Sequence, residues 1–180
     1  MQPQNAQHSQ ESGDEMKRIL VVALLATACS WAQKDDPWKP FEALIGDWVG
    51  EGGGGPGQGG GGFSYQYDLQ RKVIVRKNYA EYPVQNGRPA FRHDDLMIIY
   101  LDDVSKRPRA IYFDSEGHTI RYAITVSGDS LVFESEPEEP GIHYRLTQTP
   151  GGGRLSGKFE SRTPGEAQYK TYIEFTARRK

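Results

Sequence analysis

Apolar and polar residues alternate along most of the chain from residue 46 onward, which is the period of a β-strand with one buried face. Turn residues interrupt the alternation at short intervals, for example at Asn86-Gly87 and Ser127-Gly128. Residues 37–44 are predicted to form one short helix. The pattern then predicts ten strands, at about residues 47–51, 63–69, 72–82, 95–101, 109–114, 118–126, 130–136, 142–147, 154–162 and 168–178.

A series of consecutive hairpins leaves two unpaired sheet edges, and closure of the sheet into a barrel removes both of them. The predicted fold is therefore all-β, a roughly ten-stranded antiparallel up-and-down barrel with a short N-terminal helix. A β-sandwich is the alternative, but the connections are short for crossings between two sheets. A barrel of this size is wide enough to leave a cavity in its lumen.

The phase of each strand predicts which side chains point into the lumen, because a barrel in water buries its apolar face. Tyrosine combines an apolar ring with a polar hydroxyl, and a small-molecule pocket needs both kinds of surface. The same rings would serve equally well as a filled core without a ligand. The predicted ligand-binding residues are Tyr65, Tyr67, Arg76, Tyr100, Phe113, Tyr122, Phe133, Tyr144 and Tyr169.

The first 32 residues have the order of a polar extension followed by a signal peptide. Met16-Lys17-Arg18 begin a basic segment, residues 19–28 are apolar, and Ser30-Trp31-Ala32 place small residues at the cleavage positions. We predict cleavage before Gln33. Translation starts at either Met1 or Met16, and the sequence does not decide between them.

The mature chain is accordingly predicted to be a single barrel domain over residues 33–180, exported to the periplasm or the extracellular medium. The apolar segment 19–28 is shorter than the roughly 20 residues of a membrane span, so no transmembrane span is expected in the mature chain. The alternative is a lipoprotein anchored through Cys29, the only cysteine. A formal net charge of −2 gives no reason to expect a nucleic-acid partner, and the oligomeric state is left open.

Gly46-Asp47-Trp48, at the start of the first predicted strand, resembles the Gly-x-Trp motif of the calycins, the superfamily of lipocalins and fatty-acid-binding proteins. In that group a short helix precedes the motif and an arginine of the last strand packs across the tryptophan. Residues 41–51 are most similar to nitrobindin-like and uncharacterised bacterial lipocalin-like domains. The resemblance covers residues 37–179, and it implies a barrel-closing pair of Trp48 and Arg179.

Nitrobindin-like proteins that hold haem bind it through a histidine near the C-terminal end. The last histidine here, His143, has the phase of the solvent face, while His93 and His118 fall in a loop and a turn. With no histidine in lumen phase, we expect no haem, and no other cofactor is assigned. His93 with the adjacent Asp94 and Asp95 lacks the spacing of metal ligands on a single face, so no metal site is expected. The glycine-rich residues 51–62 lack the lysine and hydroxyl residue of a phosphate loop and are interpreted as a flexible connection.

No catalytic residues are assigned, because the sequence contains no Gly-x-Ser-x-Gly elbow and no recognisable pair of inward carboxylates. Three functions remain open. The first is an exported lipocalin-like barrel that binds a small apolar or aromatic molecule, with Arg76 at its polar end. The second is a haem-dependent nitrobindin-like enzyme, and the third is an envelope structural protein without a small ligand.

Overall fold

The computed structural model of the chain describes residues 36–52, 60–84, 87, 89–136 and 141–180. The predicted polar extension and signal peptide, the cleavage site before Gln33 and the lipidation candidate Cys29 lie outside the described residues. The same is true of residues 53–59 in the glycine-rich segment.

Ten antiparallel strands form a closed barrel, in which each strand pairs with the next along the chain and the last pairs with the first. This topology confirms the predicted all-β barrel and excludes the sandwich. The strands are β1 (Gly46–Gly50), β2 (Gly60–Asp68), β3 (Val73–Tyr82), β4 (Phe91–Leu101), β5 (Pro108–Asp114), β6 (Thr119–Ser127), β7 (Ser130–Ser135), β8 (His143–Gly151), β9 (Arg154–Arg162) and β10 (Lys170–Arg179).

The segment before β1 is a 3₁₀-helix of three residues, Lys39–Phe41, flanked by turns, and no α-helix occurs in the described part of the chain. Hydrogen bonds between residues three apart, such as Leu44 N to Phe41 O at 2.9 Å, bring Trp38, Phe41 and Leu44 to one side, where all three are buried. They plug one end of the barrel. In the part of the chain that the structure describes, no helix is long and apolar enough to cross a membrane.

Two strands, β2 and β4, begin several residues earlier than the pattern predicted. The first residue of β2 is Gly60, which pairs with Glu81, so the last glycines of the presumed flexible connection belong to the sheet. The first residue of β4 is Phe91, so His93 is a strand residue that pairs with Ala80. This second extension changes the assignment of the site described below.

The lumen is filled at the plugged end. Six side chains from five strands meet there, each at most 2% exposed: Tyr65, Ile74, Ile99, Leu131, Phe133 and Leu155. Their burial follows the period of two that the sequence predicted. We call this part of the molecule the closed end.

The predicted inward phase was wrong for Tyr100 and Phe113. In β4 the buried residues are Met97 and Ile99, so Tyr100 points to the outer face. In β5 the buried residue is Ala110, and Phe113, on the opposite face, is 40% exposed. Both strands carry apolar residues on both faces, so their alternation alone did not identify the inner one.

Tyr169 also lies on the outer face, where its ring is 4.1 Å from the guanidinium carbon of Arg145. The reason is a register shift in β10 between Thr171 and Ile173, which inserts one residue into the strand. Counting by two from Ile173 back to Tyr169 therefore gives the wrong face.

Candidate functional site

A cavity of about 1290 Å³ opens at the end of the barrel opposite the closed end. Its apolar wall is formed by inward side chains of several strands. The rings of Tyr144 and Phe159 stack on each other there, with centroids 5.5 Å apart. The apolar lining includes Met97, Tyr122, Tyr144, Leu146, Phe159 and Phe175.

One side of the cavity carries a buried ion pair between Arg76 of β3 and Asp95 of β4, whose side chains are 8% and 5% exposed. Asn78 donates a further hydrogen bond to Asp95 Oδ2 at 2.7 Å. Burial opposes the charge of Asp95, but Arg76 and the hydrogen bonds hold the pKa of its carboxyl below the usual range. The Nε of Arg76 is buried and has no hydrogen-bond partner among the described residues.

His93 continues this polar wall toward the mouth. Its Nε2 lies 3.3 Å from Asp95 Oδ2 and 3.2 Å from the Tyr112 hydroxyl, and its Nδ1 lies 2.6 Å from Glu116 Oε2. The hydrogen bond to Asp95 outweighs the opposing effect of burial and, together with Glu116, raises the pKa of His93 to about 9. His93 is therefore a cation at neutral pH.

Asp114, at the end of β5, holds the following turn in place. Its Oδ1 accepts hydrogen bonds from the backbone N–H groups of Glu116 (3.1 Å) and His118 (2.8 Å). Its Oδ2 lies 2.8 Å from Nδ1 of the His118 ring and 3.3 Å from the Tyr112 hydroxyl. Burial, with the charges of Asp95 and Asp114, raises the pKa of Tyr112 well above its usual range.

The residues predicted to bind a ligand fall into three groups. Arg76, Tyr122 and Tyr144 line the cavity. Three others lie at the closed end and fill it: Tyr65 donates to Gln148 Oε1 at 2.7 Å, Phe133 is fully buried, and Tyr67 donates to Glu42 at 3.0 Å. The remaining three are the outward-facing Tyr100, Phe113 and Tyr169. The structure therefore separates a ligand-sized space from a packed core, which the sequence left as alternatives.

The two residues predicted to close the barrel lie together at the closed end. Trp48 and Arg179 are register partners on β1 and β10, and the guanidinium carbon is 4.6 Å from the centroid of the indole, which is 3% exposed. Arg179 also donates to the carbonyls of Ile45 (2.6 Å) and Ala43 (2.9 Å). It thereby ties the last strand to the turns that precede the first.

Sequence reasoning missed the polar wall. It placed His93 in a loop and found no pair of inward carboxylates, and both statements were wrong, since His93 and the register partners Asp95 and Asp114 all line the cavity. The signal that was available is their spacing. His93 and Asp95 are two residues apart, as are Tyr112 and Asp114, so each pair shares one face of a strand.

No protein-family model matches the chain, and a search of curated proteins finds no match either. The closed ten-stranded antiparallel topology is consistent with a calycin-like barrel.

Proposed function

We propose that this protein is an exported, calycin-like barrel that binds a small apolar molecule, preferably an aromatic one, in the open-end cavity. The observation that carries this proposal is the size of the cavity, about 1290 Å³. Ligand sites typically measure about 300–1,000 Å³, so a cavity of this volume is large enough to hold a small molecule. A barrel that uses its lumen only as core fills it with side chains, and this one is filled only at the closed end.

The cavity wall supports a neutral ligand with one hydrogen-bond acceptor. Arg76 lines the cavity, and its guanidinium N–H groups are hydrogen-bond donors only, so a ligand oxygen would be a suitable partner for them. The charge of Arg76 is balanced by Asp95, and nearer the mouth the His93 cation lies beside the carboxylates of Asp114 and Glu116. A neutral carbonyl or phenol oxygen fits this electrostatic environment better than a carboxylate, because the carboxylates already present would repel a second negative charge.

A fluorescence titration with N-phenyl-1-naphthylamine, a neutral aromatic probe, tests the proposal. We expect saturable binding of one probe per chain. Tyr144→Ala removes a stacked ring from the wall and should weaken binding about tenfold, which corresponds to about 1.4 kcal/mol. The matched control is Tyr100→Ala, which removes a tyrosine from the outer face of β4 and should leave the affinity unchanged.

Two other outcomes would support the other functions. If the folded protein shows no saturable binding, the proposal fails and a structural role in the envelope is favoured. The position of His93 in the cavity gives the haem-dependent function a concrete test as well. A sharp Soret band with haemin that His93→Ala abolishes would favour that function, although both ring nitrogens of His93 are already within 3.3 Å of other side chains.

Export is proposed from the order of basic, apolar and small residues over 16–32. Sequencing of the N-terminus of protein recovered from the periplasm or the medium should give a chain that begins at Gln33. A chain that begins with a diacylated Cys29 would show membrane anchoring as a lipoprotein. Recovery of the uncleaved chain from the cytoplasm would contradict export.

A further inference from the structure

Four side chains with nitrogen or oxygen donors meet at the mouth of the cavity. One ligand atom from each of Asp114, Glu116 and His118 can be chosen so that the three atoms lie within 4.8 Å of one another. The fourth side chain is His93, whose Nδ1 is 2.6 Å from Glu116 Oε2. All four residues line the cavity. We call them the mouth cluster.

The local fold holds these residues in position. Asp114 is the last residue of β5, and Glu116 and His118 lie in the short turn that follows it. The backbone hydrogen bonds to Asp114 Oδ1 fix the shape of this turn. The turn is attached to β4 through Ser115, whose N–H donates to Asp94 O at 2.9 Å and whose hydroxyl accepts from Asp94 N at 3.2 Å. His93 and the turn are therefore fixed relative to each other by the register of two adjacent strands.

A second and independent observation concerns the far side of the His93 ring. Its Nε2 faces Asp95, a carboxylate with 5% exposure that Arg76 and Asn78 hold from behind. Histidines that bind metals almost always place their other nitrogen against a carboxylate or a carbonyl, which fixes the ring and raises its basicity. This arrangement leaves the Nδ1 of His93 directed at the carboxylate of Glu116.

We propose that the mouth cluster binds a divalent transition cation of the Zn²⁺ type, with His93, Asp114, Glu116 and His118 as ligands. Two imidazoles and two carboxylates are a donor set that Zn²⁺ and its neighbours accept, whereas Ca²⁺ and Mg²⁺ select oxygen donors alone. On binding, the cation replaces the protons now shared between the imidazoles and the carboxylates, and these are released to solvent. This site does not depend on the lumen ligand proposed above.

Isothermal titration of the full chain with Zn²⁺, and with Co²⁺ as an optical probe of coordination, tests the site. We expect one Zn²⁺ per chain with a dissociation constant in the micromolar range or below, a visible Co²⁺ absorption band, and a raised melting temperature. His118→Ala and His93→Gln should each weaken binding by at least about tenfold. His118 is exposed, so its replacement tests the site without risk to the fold.

The matched control is His143→Ala, which changes a histidine of β8 outside the mouth cluster and should leave the affinity unchanged. The proposal is overturned if the folded wild-type chain shows no saturable binding at millimolar Zn²⁺. It is also overturned if His118→Ala and His93→Gln bind as tightly as the wild type, because the metal then occupies a different place. Neither result bears on binding of the neutral aromatic probe, so the two proposals can fail separately.

Discussion

At the scale of single residues, closure of the barrel depends on Gly46. Its φ is +128°, and a β-carbon at this position would lie 2.6 Å from Nη1 of Arg179. Because glycine leaves this space empty, the guanidinium reaches the carbonyl of Ile45 and lies across the ring of Trp48. Gly46, Trp48 and Arg179 therefore form one structural unit.

Gly46→Ala should lower the free energy of unfolding by about 2–4 kcal/mol, since it combines backbone strain with displacement of a charged hydrogen-bond donor. Urea denaturation measures the change. The control is Gly165→Ala, at φ +87° with no atom within 4 Å of the added carbon, which should show the cost of backbone strain alone. Equal losses in the two variants would mean that the contact with Arg179 contributes nothing.

Trp48→Ala should cost on the order of 3–5 kcal/mol, because it leaves a cavity at the closed end. It also removes the hydrogen bond from the indole Nε1 to Leu44 O, 2.8 Å long. Thermal unfolding followed by circular dichroism checks this expectation. Tyr172→Ala, at an aromatic position that is 67% exposed, should change the melting temperature little. A Trp48→Ala protein that melts with the wild type would contradict the barrel-closing role.

At the scale of the strands, the outer face of β8 and β9 is organised around Glu160. Its carboxylate is 5% exposed and lies 2.8 Å from both Arg145 Nε and Lys158 Nζ. The ring of Tyr169 lies on the guanidinium of Arg145, which the register shift in β10 makes possible. An aromatic residue that the sequence assigned to the lumen thus covers an ion pair outside it.

The stability that Glu160 contributes should depend on pH. The hydrogen bond from Arg145, opposed by burial and aided by Lys158, lowers the pKa of Glu160 below that of an unfolded glutamate, about 4.3. The contribution is therefore present above the unfolded pKa and is lost as the pH falls through the folded pKa. Glu160→Gln should cost about 1–3 kcal/mol at neutral pH and much less near pH ~3.

Urea denaturation of the wild type and the variant at the two pH values measures this difference. The control is Asp103→Asn, which changes an exposed carboxylate in the turn between β4 and β5 and should have little effect at either pH. If the cost of Glu160→Gln is the same at both pH values, the ion pair is not its source.

At the scale of the whole molecule, a short pairing closes the barrel. Residues 48–50 of β1 pair with 177–179 of β10, and Ala177 is fully buried in this seam. Without the seam, the barrel would be an open sheet with two unpaired edges. The fold therefore depends on contacts between the two ends of the described chain.

Removal of residues 177–180 should lower stability by at least about 4 kcal/mol, or roughly 8–16 °C in melting temperature, because it opens the seam and uncovers Trp48. Calorimetry or thermal circular dichroism measures the loss. Lys180→Ala keeps the backbone of the seam and should melt close to the wild type. A truncated chain that melts at the wild-type temperature would show that the pairing of β1 with β10 is not needed.

The sequence by itself determined the features that depend on local order. Ten strands, their approximate positions and their connection by short turns follow from a period of two interrupted by turn residues, and closure follows from the need to pair both edges. The inward phase of Tyr65, Tyr122 and Tyr144 was predicted in the same way, because charged or polar neighbours mark the outer face of those strands.

Only the tertiary structure decided which face of β4 and β5 points inward, since apolar residues occupy both faces of these strands. Asp95 lies inside because it is the partner of Arg76 on the adjacent strand, and such a pairing exists only once the register is set. The register shift in β10 adds one unpaired residue to the strand and thereby turns Tyr169 to the outer face. Counting residues along the sequence does not reveal such a shift. The mouth cluster has the same origin, because the register of β4 against β5 brings His93 to residues more than twenty positions away.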